Sequence, residues 1–254
     1  MKICDLNIVV TGAASGMGRH FAEQLLAEGA SVSAWDMNAE GLAELKAAHP
    51  DASLHIAQVN VASEREVSAA MAEAWELFQG LNGLINNAGI FRDALLVKKD
   101  RRSGELKTMS LEDWQTVLDV DLTGPFLCTR ELSARLVDAG QGDPAVIINI
   151  SSVSRAGNMG QGNYSAAKAA LVADTVTWAK ELARHHIRVA AIAPGFVETP
   201  ILRGMRPEMV DKMVSQVPMR RLGSAQEMYL GLKFIVECEY FTGRCLEIDG
   251  GLRL

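Results

Sequence analysis

Several features are scarce in this sequence, and each scarcity excludes a class of protein. Four cysteines, Cys4, Cys128, Cys238 and Cys245, are scattered over 254 residues without a C-x-x-C pair. That pattern excludes the disulfide framework of a small secreted domain and reads as reduced thiols in a cytoplasmic protein. No apolar stretch approaches the length of a membrane span, and the run from Met1 to Val10 is too short and interrupted for a signal peptide. An excess of basic charge is missing too: the formal net charge is −6 and the pI near 5.4. This argues against nucleic acid or an anionic membrane as the main partner. No cluster has the spacing of a metal site, and His185 and His186 read as favourable charge at a helix C-terminus. No Pro/Ser-rich linker, shift of composition or repeat divides the chain, so residues 1–254 read as one domain. With 48% hydrophobic residues, that domain can bury a sizeable core.

What is present is a regular alternation of short β-branched runs with longer helical patterns. Strands are expected at Asn7–Thr11, Ser31–Trp35, Leu54–Val59, Gly83–Asn86, Val146–Ser151, Arg188–Ala193 and Arg244–Ile248. Helices are expected at Gly16–Glu28, Ala39–Ala48, Glu64–Gln79, Leu111–Ala139, Gln161–His185, Pro207–Gln216 and Ala225–Val236. Continuous apolar strands such as Val146-Ile147-Ile148 suit a sheet buried on both faces, and the alternation implies right-handed β-α-β units. Two segments break the rhythm. Residues 98–107 form a charged loop with five basic and two acidic side chains, expected to be a solvated surface hairpin. Residues 195–223, with Met205, Met209, Met213 and Met219, form a helical excursion between the last two strands and are expected to act as a lid.

Between the first strand and the first helix runs Thr11-Gly12-Ala13-Ala14-Ser15-Gly16-Met17-Gly18. Glycines there allow a tight turn and close approach of a phosphate, and the helix N-terminus offers free N–H groups and partial positive charge. The second strand ends at Asp36, an acid placed to accept hydrogen bonds from ribose hydroxyls and to repel a 2′-phosphate. No basic residue follows it, so NAD is expected over NADP.

About 150 residues after the glycine turn comes Tyr164-Ser-Ala-Ala-Lys168. Residues four apart on a helix share a face. A free phenol, with a pKa near ~10, is a poor base at neutral pH. An ammonium about 4 Å away is worth ~4 kcal/mol at an effective dielectric of ~20, so Lys168 and the positive nicotinamide of an oxidised cofactor are together expected to bring Tyr164 towards operating pH, against the opposing cost of desolvation. Tyr164 would then remove an alcohol proton or give one to a carbonyl oxygen.

These marks, together with Asn86-Asn87-Ala88-Gly89, Ser151-Ser152, Pro194-Gly195 with Thr199, and Asp249-Gly250-Gly251, follow one another in a familiar order. Over nearly its whole length the chain resembles the short-chain dehydrogenase/reductase (SDR) family. The resemblance implies an α/β, Rossmann-type doubly wound sheet of seven mostly parallel strands flanked by helices. It also implies a homotetramer, with a subunit contact on the alanine face Ala166, Ala169, Ala170 and Ala173.

The same resemblance assigns residues. Gly12, Ser15, Gly16, Met17, Gly18 and Asp36 would hold the cofactor. Asn87, Ala88 and Gly89 would line the adenosine ribose and brace the sheet. Asn60 and Val61 would face the adenine, although many relatives carry Asp where this chain has Asn60. Pro194, Gly195, Val197 and Thr199 would meet the nicotinamide end, and Lys168 the nicotinamide ribose. A serine must hold the substrate oxygen. Relatives commonly use the second of two, which favours Ser152, whereas their commonest serine-to-tyrosine spacing fits Ser151; a one-residue deletion in 153–160 reconciles the two in favour of Ser152. Asp121 stands where relatives carry an asparagine whose backbone carbonyl holds a water leading to the lysine. Its carboxylate would compete for the Lys168 ammonium and raise the phenol's pKa.

The activity expected is NAD(H)-dependent interconversion of a secondary alcohol and a ketone, without metal, on a moderately apolar small molecule. Two alternatives stay open. One is a 3-oxoacyl-thioester reductase, with the basic 98–107 loop greeting an acidic carrier protein or a coenzyme-A phosphate. The other is a nucleotide-binding regulator whose chemistry Asp121 has impaired.

Overall fold

The alternation of apolar side chains along the strands builds two cores, one on each face of a sheet. Ile8, Val10, Ile148 and Ile192 are buried on one side, with Phe21, Leu25 and Leu232. Val9, Leu84, Ile147 and Val189 are buried on the other, with Val67, Met71 and Leu132. The computed structural model describes every residue except Gln141, Pro200, Ile201, Arg203 and Met205; the expectation for Met205 therefore lies outside the described residues. Its strands are β1 (Asn7–Thr11), β2 (Ser31–Asp36), β3 (Leu54–Gln58), β4 (Gly83–Asn86), β5 (Val97–Lys99), β6 (Leu106–Thr108), β7 (Ala145–Ile150), β8 (Ile187–Pro194) and β9 (Cys245–Ile248). Its helices are α1 (Gly16–Ala27), α2 (Ala39–Ala48), α3 (Glu64–Leu77), α4 (Leu111–Leu118), α5 (Gly124–Asp138), α6 (Gly162–Leu182), α7 (Pro207–Gln216) and α8 (Ala225–Glu237).

Seven strands form the main sheet in the order β3-β2-β1-β4-β7-β8-β9, and every neighbouring pair is parallel. The direction of winding reverses between β1 and β4, which opens a crevice at the C-terminal ends of those strands, where such sheets bind ligands. No helix among the described residues is long and apolar enough to cross a membrane.

One sequence expectation needs correction. Residues 111–139 are not one helix: α4 and α5 are separated by a π-helical turn, Asp119–Thr123. Pro125 has no N–H for the carbonyl of residue 121, four positions earlier, and the Gly124 N–H reaches back five residues to the Asp119 carbonyl. The charged 98–107 segment, expected as a solvated surface hairpin, contains an antiparallel hairpin, β5–β6, with all six strand residues exposed.

A buried polar ladder ties α6 to the sheet. Asn86 Nδ2 donates to Asn149 Oδ1 at 2.8 Å and to Thr129 Oγ1 at 3.1 Å. Asn149 Nδ2 then donates to Thr175 Oγ1 at 2.9 Å. Buried polar groups of this kind are costly unless paired, so the ladder sets how α5 and α6 lie against β4 and β7.

Candidate active site

The glycine turn is closed as tightly as its residues permit. A Cβ on Gly18 would come within 2.1 Å of the Gly12 carbonyl oxygen, and one on Gly12 within 2.9 Å of the Ala88 Cα. Gly12 and Gly16 also have positive φ, +67° and +56°, a region that favours glycine. The Asn87 side chain clamps the turn by donating to the carbonyls of Thr11 (3.0 Å) and Gly12 (3.2 Å). Thr11 Oγ1 accepts from the N–H groups of Asn87 and Ala88, both at 3.0 Å. The bracing expected of residues 87–89 is thus present, and Thr11 is an additional brace.

The exposed Ser15 leads into α1 without a side-chain cap on the helix N-terminus, so its first N–H groups remain free for an anion. Asp36 stands at the end of β2 with one oxygen accepting from the Ala14 N–H (3.0 Å) and the other from the Asn38 N–H (2.9 Å). These bonds aim the carboxylate at the mouth of the turn. A cradle without Cβ atoms, an uncapped helix end and a fixed acid together suit a dinucleotide.

The remaining cofactor candidates lie along the same edge. Asn60 Oδ1 accepts from the Ala62 N–H at 3.0 Å. The Val61 side chain is buried in the core, which leaves its backbone as the part that can face a ligand. Met17 packs against the other core. Pro194 ends β8 beside Ile248, and Gly195 approaches Asp249 so closely that a Cβ would meet its Cα at 2.7 Å. Val197 is buried and bridges to Gly223, while Thr199 is half-buried. In the excursion beyond them α7 has no buried residue and Met209 and Met219 are exposed, while Val217 packs with Val153 and Leu252.

Tyr164, Lys168 and Asp121 meet in a nearly closed space, at 8%, 3% and 0% exposure. The Lys168 Nζ lies 5.5 Å from the centre of the Tyr164 ring, so the expected common face of α6 is present. The same Nζ is 3.1 Å from Asp121 Oδ2 and donates to the Ile150 carbonyl at 3.1 Å. Asp121 Oδ1 accepts from the Ile90 N–H at 2.8 Å. Gly89 makes room for the pair, since a Cβ there would stand 2.8 Å from Asp121 Oδ2. The π turn brings Asp121 inward; such turns are frequent at functional sites.

The two serines separate cleanly. Ser151 turns its hydroxyl to the Lys168 carbonyl, 2.9 Å away. Ser152 pulls the Tyr164 phenol towards its ionised form, and its hydroxyl accepts from the Ser154 N–H at 3.1 Å.

Opposing charges meet at the phenol. Burial, the largest influence, pushes the Tyr164 phenol above its ordinary pKa; Lys168 and Ser152 pull it down, and Asp121 and Asp93 oppose them. Lys168 alone therefore does not bring the phenol towards neutrality. The competing effect expected of Asp121 has the anticipated sign. Burial pulls the Lys168 ammonium down, but Asp121 and Tyr164 outweigh it and hold it above its usual value. Burial raises the Asp121 carboxyl despite Lys168.

Several participants were not anticipated. The Phe91 ring lies 4.6 Å from that of Tyr164. Both Asp93 oxygens accept from Gln161 Nε2, at 3.2 and 3.1 Å. Asn163 holds the start of α6 by donating to the Arg92 and Asp113 carbonyls. Phe91 and Asp93 follow directly on the Asn-Asn-Ala-Gly run, and Asn163 directly precedes the tyrosine; that adjacency was the available signal. Among the described residues no three His, Cys, Asp or Glu side chains converge as metal ligands would.

Residues 6–210 match the model of the short chain dehydrogenase family. The chain is 36% identical to a 3-oxoacyl-acyl-carrier-protein reductase of Thermotoga maritima, over 99% of this chain and 97% of that protein. It is likewise 36% identical to one from Aquifex aeolicus, over 96% of each. Nodulation protein G of a Rhizobium species is 34% identical over 97% of this chain and 96% of its own.

Proposed function

Since this chain belongs to the short-chain dehydrogenase family, an oxidoreductase family acting on CH–OH groups, we propose that it interconverts a secondary alcohol and a ketone with NAD(H), Tyr164 carrying the proton. The observation that supports this most directly is the buried Tyr164 and Lys168 with the half-buried Ser152 at the end of β7, on the sheet edge that also carries the glycine turn of Gly12, Gly16 and Gly18. A nicotinamide cofactor, when bound, supplies or takes up the hydride.

The chain's own residues do the rest. Ser152 holds the substrate oxygen by hydrogen bonding, which keeps the reacting carbon in one orientation. Tyr164 gives its proton to a carbonyl oxygen in reduction and, as phenolate, removes the hydroxyl proton in oxidation. Lys168 binds ribose hydroxyls and stabilises the phenolate. Asp121 is a positioning residue: it holds the ammonium in place and keeps the phenol's pKa high. Asn60, Val61, Asn87, Ala88, Gly89, Pro194, Gly195, Val197 and Thr199 line the cofactor, and residues 195–223 cover the nicotinamide end. We read the chain as one domain in a cytoplasmic homotetramer. Free cysteines at all four positions and the surface placement of Ala169 and Ala173 on α6 support that reading.

Cofactor choice follows from Asp36, whose fixed carboxylate favours ribose hydroxyls over a 2′-phosphate. A second reading, reduction of 3-oxoacyl thioesters, is favoured by the reductases of Thermotoga and Aquifex to which the chain is similar.

The test is steady-state kinetics with NAD and NADP on a panel of secondary alcohols, ketones and 3-oxoacyl thioesters. Turnover with NAD is expected, with Asp36→Ala binding NAD more weakly and discriminating less against NADP. An unchanged ratio would discredit the ribose assignment. Cofactor binding without turnover on any of the panel, revived by Asp121→Asn, would favour the regulator instead.

A further inference from the structure

We propose that the β5–β6 hairpin is a docking arm for an acidic acyl-carrier protein, which would present its thioester beside Tyr164. This rests on the second reading above, the reduction of 3-oxoacyl thioesters.

The hairpin is neither neutral nor self-sufficient. Its strands have three residues each and no buried side chain, too little to hold a ribbon together in water. Their register sets Lys98 directly opposite Lys107, and like charges so placed weaken the ribbon. Asp100, in the turn, accepts from the N–H groups of Arg102 and Ser103, both at 2.8 Å, and Glu105 sits 3.8 Å from Lys107. Lys98, Lys99, Arg101 and Arg102 close no salt bridge among the described residues. The segment is an island of net positive charge on a chain whose total is −6. An anionic surface laid on it would relieve the repulsion and satisfy these cations.

Apolar groups decide between a small anion and a protein. Leu96, Val97 and Leu106 are 79%, 58% and 67% exposed alongside the lysines. A phosphate group gives such side chains nothing to pack on. An acidic protein surface carrying some apolar side chains covers both, as the mixed polar and apolar make-up of protein interfaces requires.

The position of the arm suits delivery. Ala94 bridges to Gln161 and its N–H donates to the Gly160 carbonyl at 2.8 Å. The Met109 N–H donates to the Leu96 carbonyl at 3.2 Å. The base of the hairpin is therefore tied to the residues that open α6, three positions before Tyr164, and Phe91 at its approach lies on the Tyr164 ring.

The experiment compares wild type with the full chain carrying Lys98→Glu, Lys99→Glu, Arg101→Glu and Arg102→Glu. One 3-oxobutyryl group is offered on an acidic acyl-carrier protein, on coenzyme A and on N-acetylcysteamine. Binding of the acyl-free carrier protein is titrated in parallel at low and high salt. Exposed charges act over about 10 Å at 0.1 M salt, so wild-type binding should weaken steeply as salt rises. The variant should lose at least about tenfold in carrier affinity and in kcat/KM for the carrier substrate, within the range by which such fields steer association. Its kcat/KM for N-acetylcysteamine should stay within about twofold, as for changes that leave the chemistry alone.

Carrier affinity that is indifferent to charge reversal overturns the proposal, whatever the activities. A loss seen equally with coenzyme A overturns it in favour of a small phosphate subsite. An altered oligomeric state of the variant overturns it in favour of a contact between copies of this chain. Charge-sensitive carrier binding without turnover of any thioester, while simple ketones are reduced, upholds the arm and retires the thioester reading.

Discussion

Tyr164, Lys168 and Asp121 are at most 8% exposed, with Lys168 paired to Asp121 and lying over the Tyr164 ring, whereas the β5–β6 hairpin and α7 contain no buried residue. The floor of the site and its rim thus follow opposite rules. On the floor, every polar group is desolvated, so an unmatched change leaves a buried charge or donor stranded. On the rim, water competes for each contact, and a single substitution costs little. Reaction type is therefore written into the floor and substrate choice into the rim. Four substitutions test that division.

The largest effect is expected from Tyr164→Phe. Removal of a positioned acid/base group should lower kcat by about 10²–10⁴-fold, with cofactor affinity, read by titration, largely kept. A retained rate would remove the proposed proton carrier. Next is Asp121→Leu, which strands the Lys168 ammonium at 3% exposure. Breaking a buried pair in this way costs about 3–5 kcal/mol, measurable by denaturant unfolding. A loss below about 1 kcal/mol, the value of an exposed pair, would mean that water reaches the pair and that the floor is less closed than described.

Asp121→Asn keeps an acceptor for the Ile90 N–H while removing the negative charge. Asp121 raises the phenol's pKa both directly and by occupying Lys168. Oxidation needs phenolate and rises with pH through that pKa; proton donation in reduction is lost as pH rises through it. Both limbs of the pH–rate profile should move to lower pH in the variant. A profile that stays in place would assign Asp121 a purely structural part.

The smallest effect belongs to the rim. Met209→Ser on exposed α7 should change stability by no more than about 0.5 kcal/mol, while altering KM for apolar substrates more than kcat. A large stability loss would show that α7 is packed down, contrary to its exposure.

How far the site could be read in advance tracks the same division. The glycine turn, Asp36 and the Tyr164/Lys168 face were legible because each depends on local backbone geometry or helical spacing. Ser152 was favoured over Ser151 by resemblance, against the spacing, and the Ser151 hydroxyl is turned to the Lys168 carbonyl. Other features were hidden. The Ile90 N–H and Ile150 carbonyl that anchor Asp121 and Lys168 belong to ordinary apolar residues far away in the chain. The π turn required seeing what Gly124-Pro125 does to the preceding carbonyls. The sign of the net shift at Tyr164 depends on how completely the surrounding chain excludes water.

Residue order and composition thus determine the seven-stranded sheet, the tight glycine turn and the shared face of Tyr164 and Lys168, since these follow from periodicity, glycine's tolerance of tight turns and a four-residue helical spacing. The depth of burial around the phenol, the contact between Asp121 and Lys168, and the separation of Ser151 from Ser152 arise when distant segments converge. Desolvation and Coulomb forces are set by distances through space, and only the packed chain establishes those.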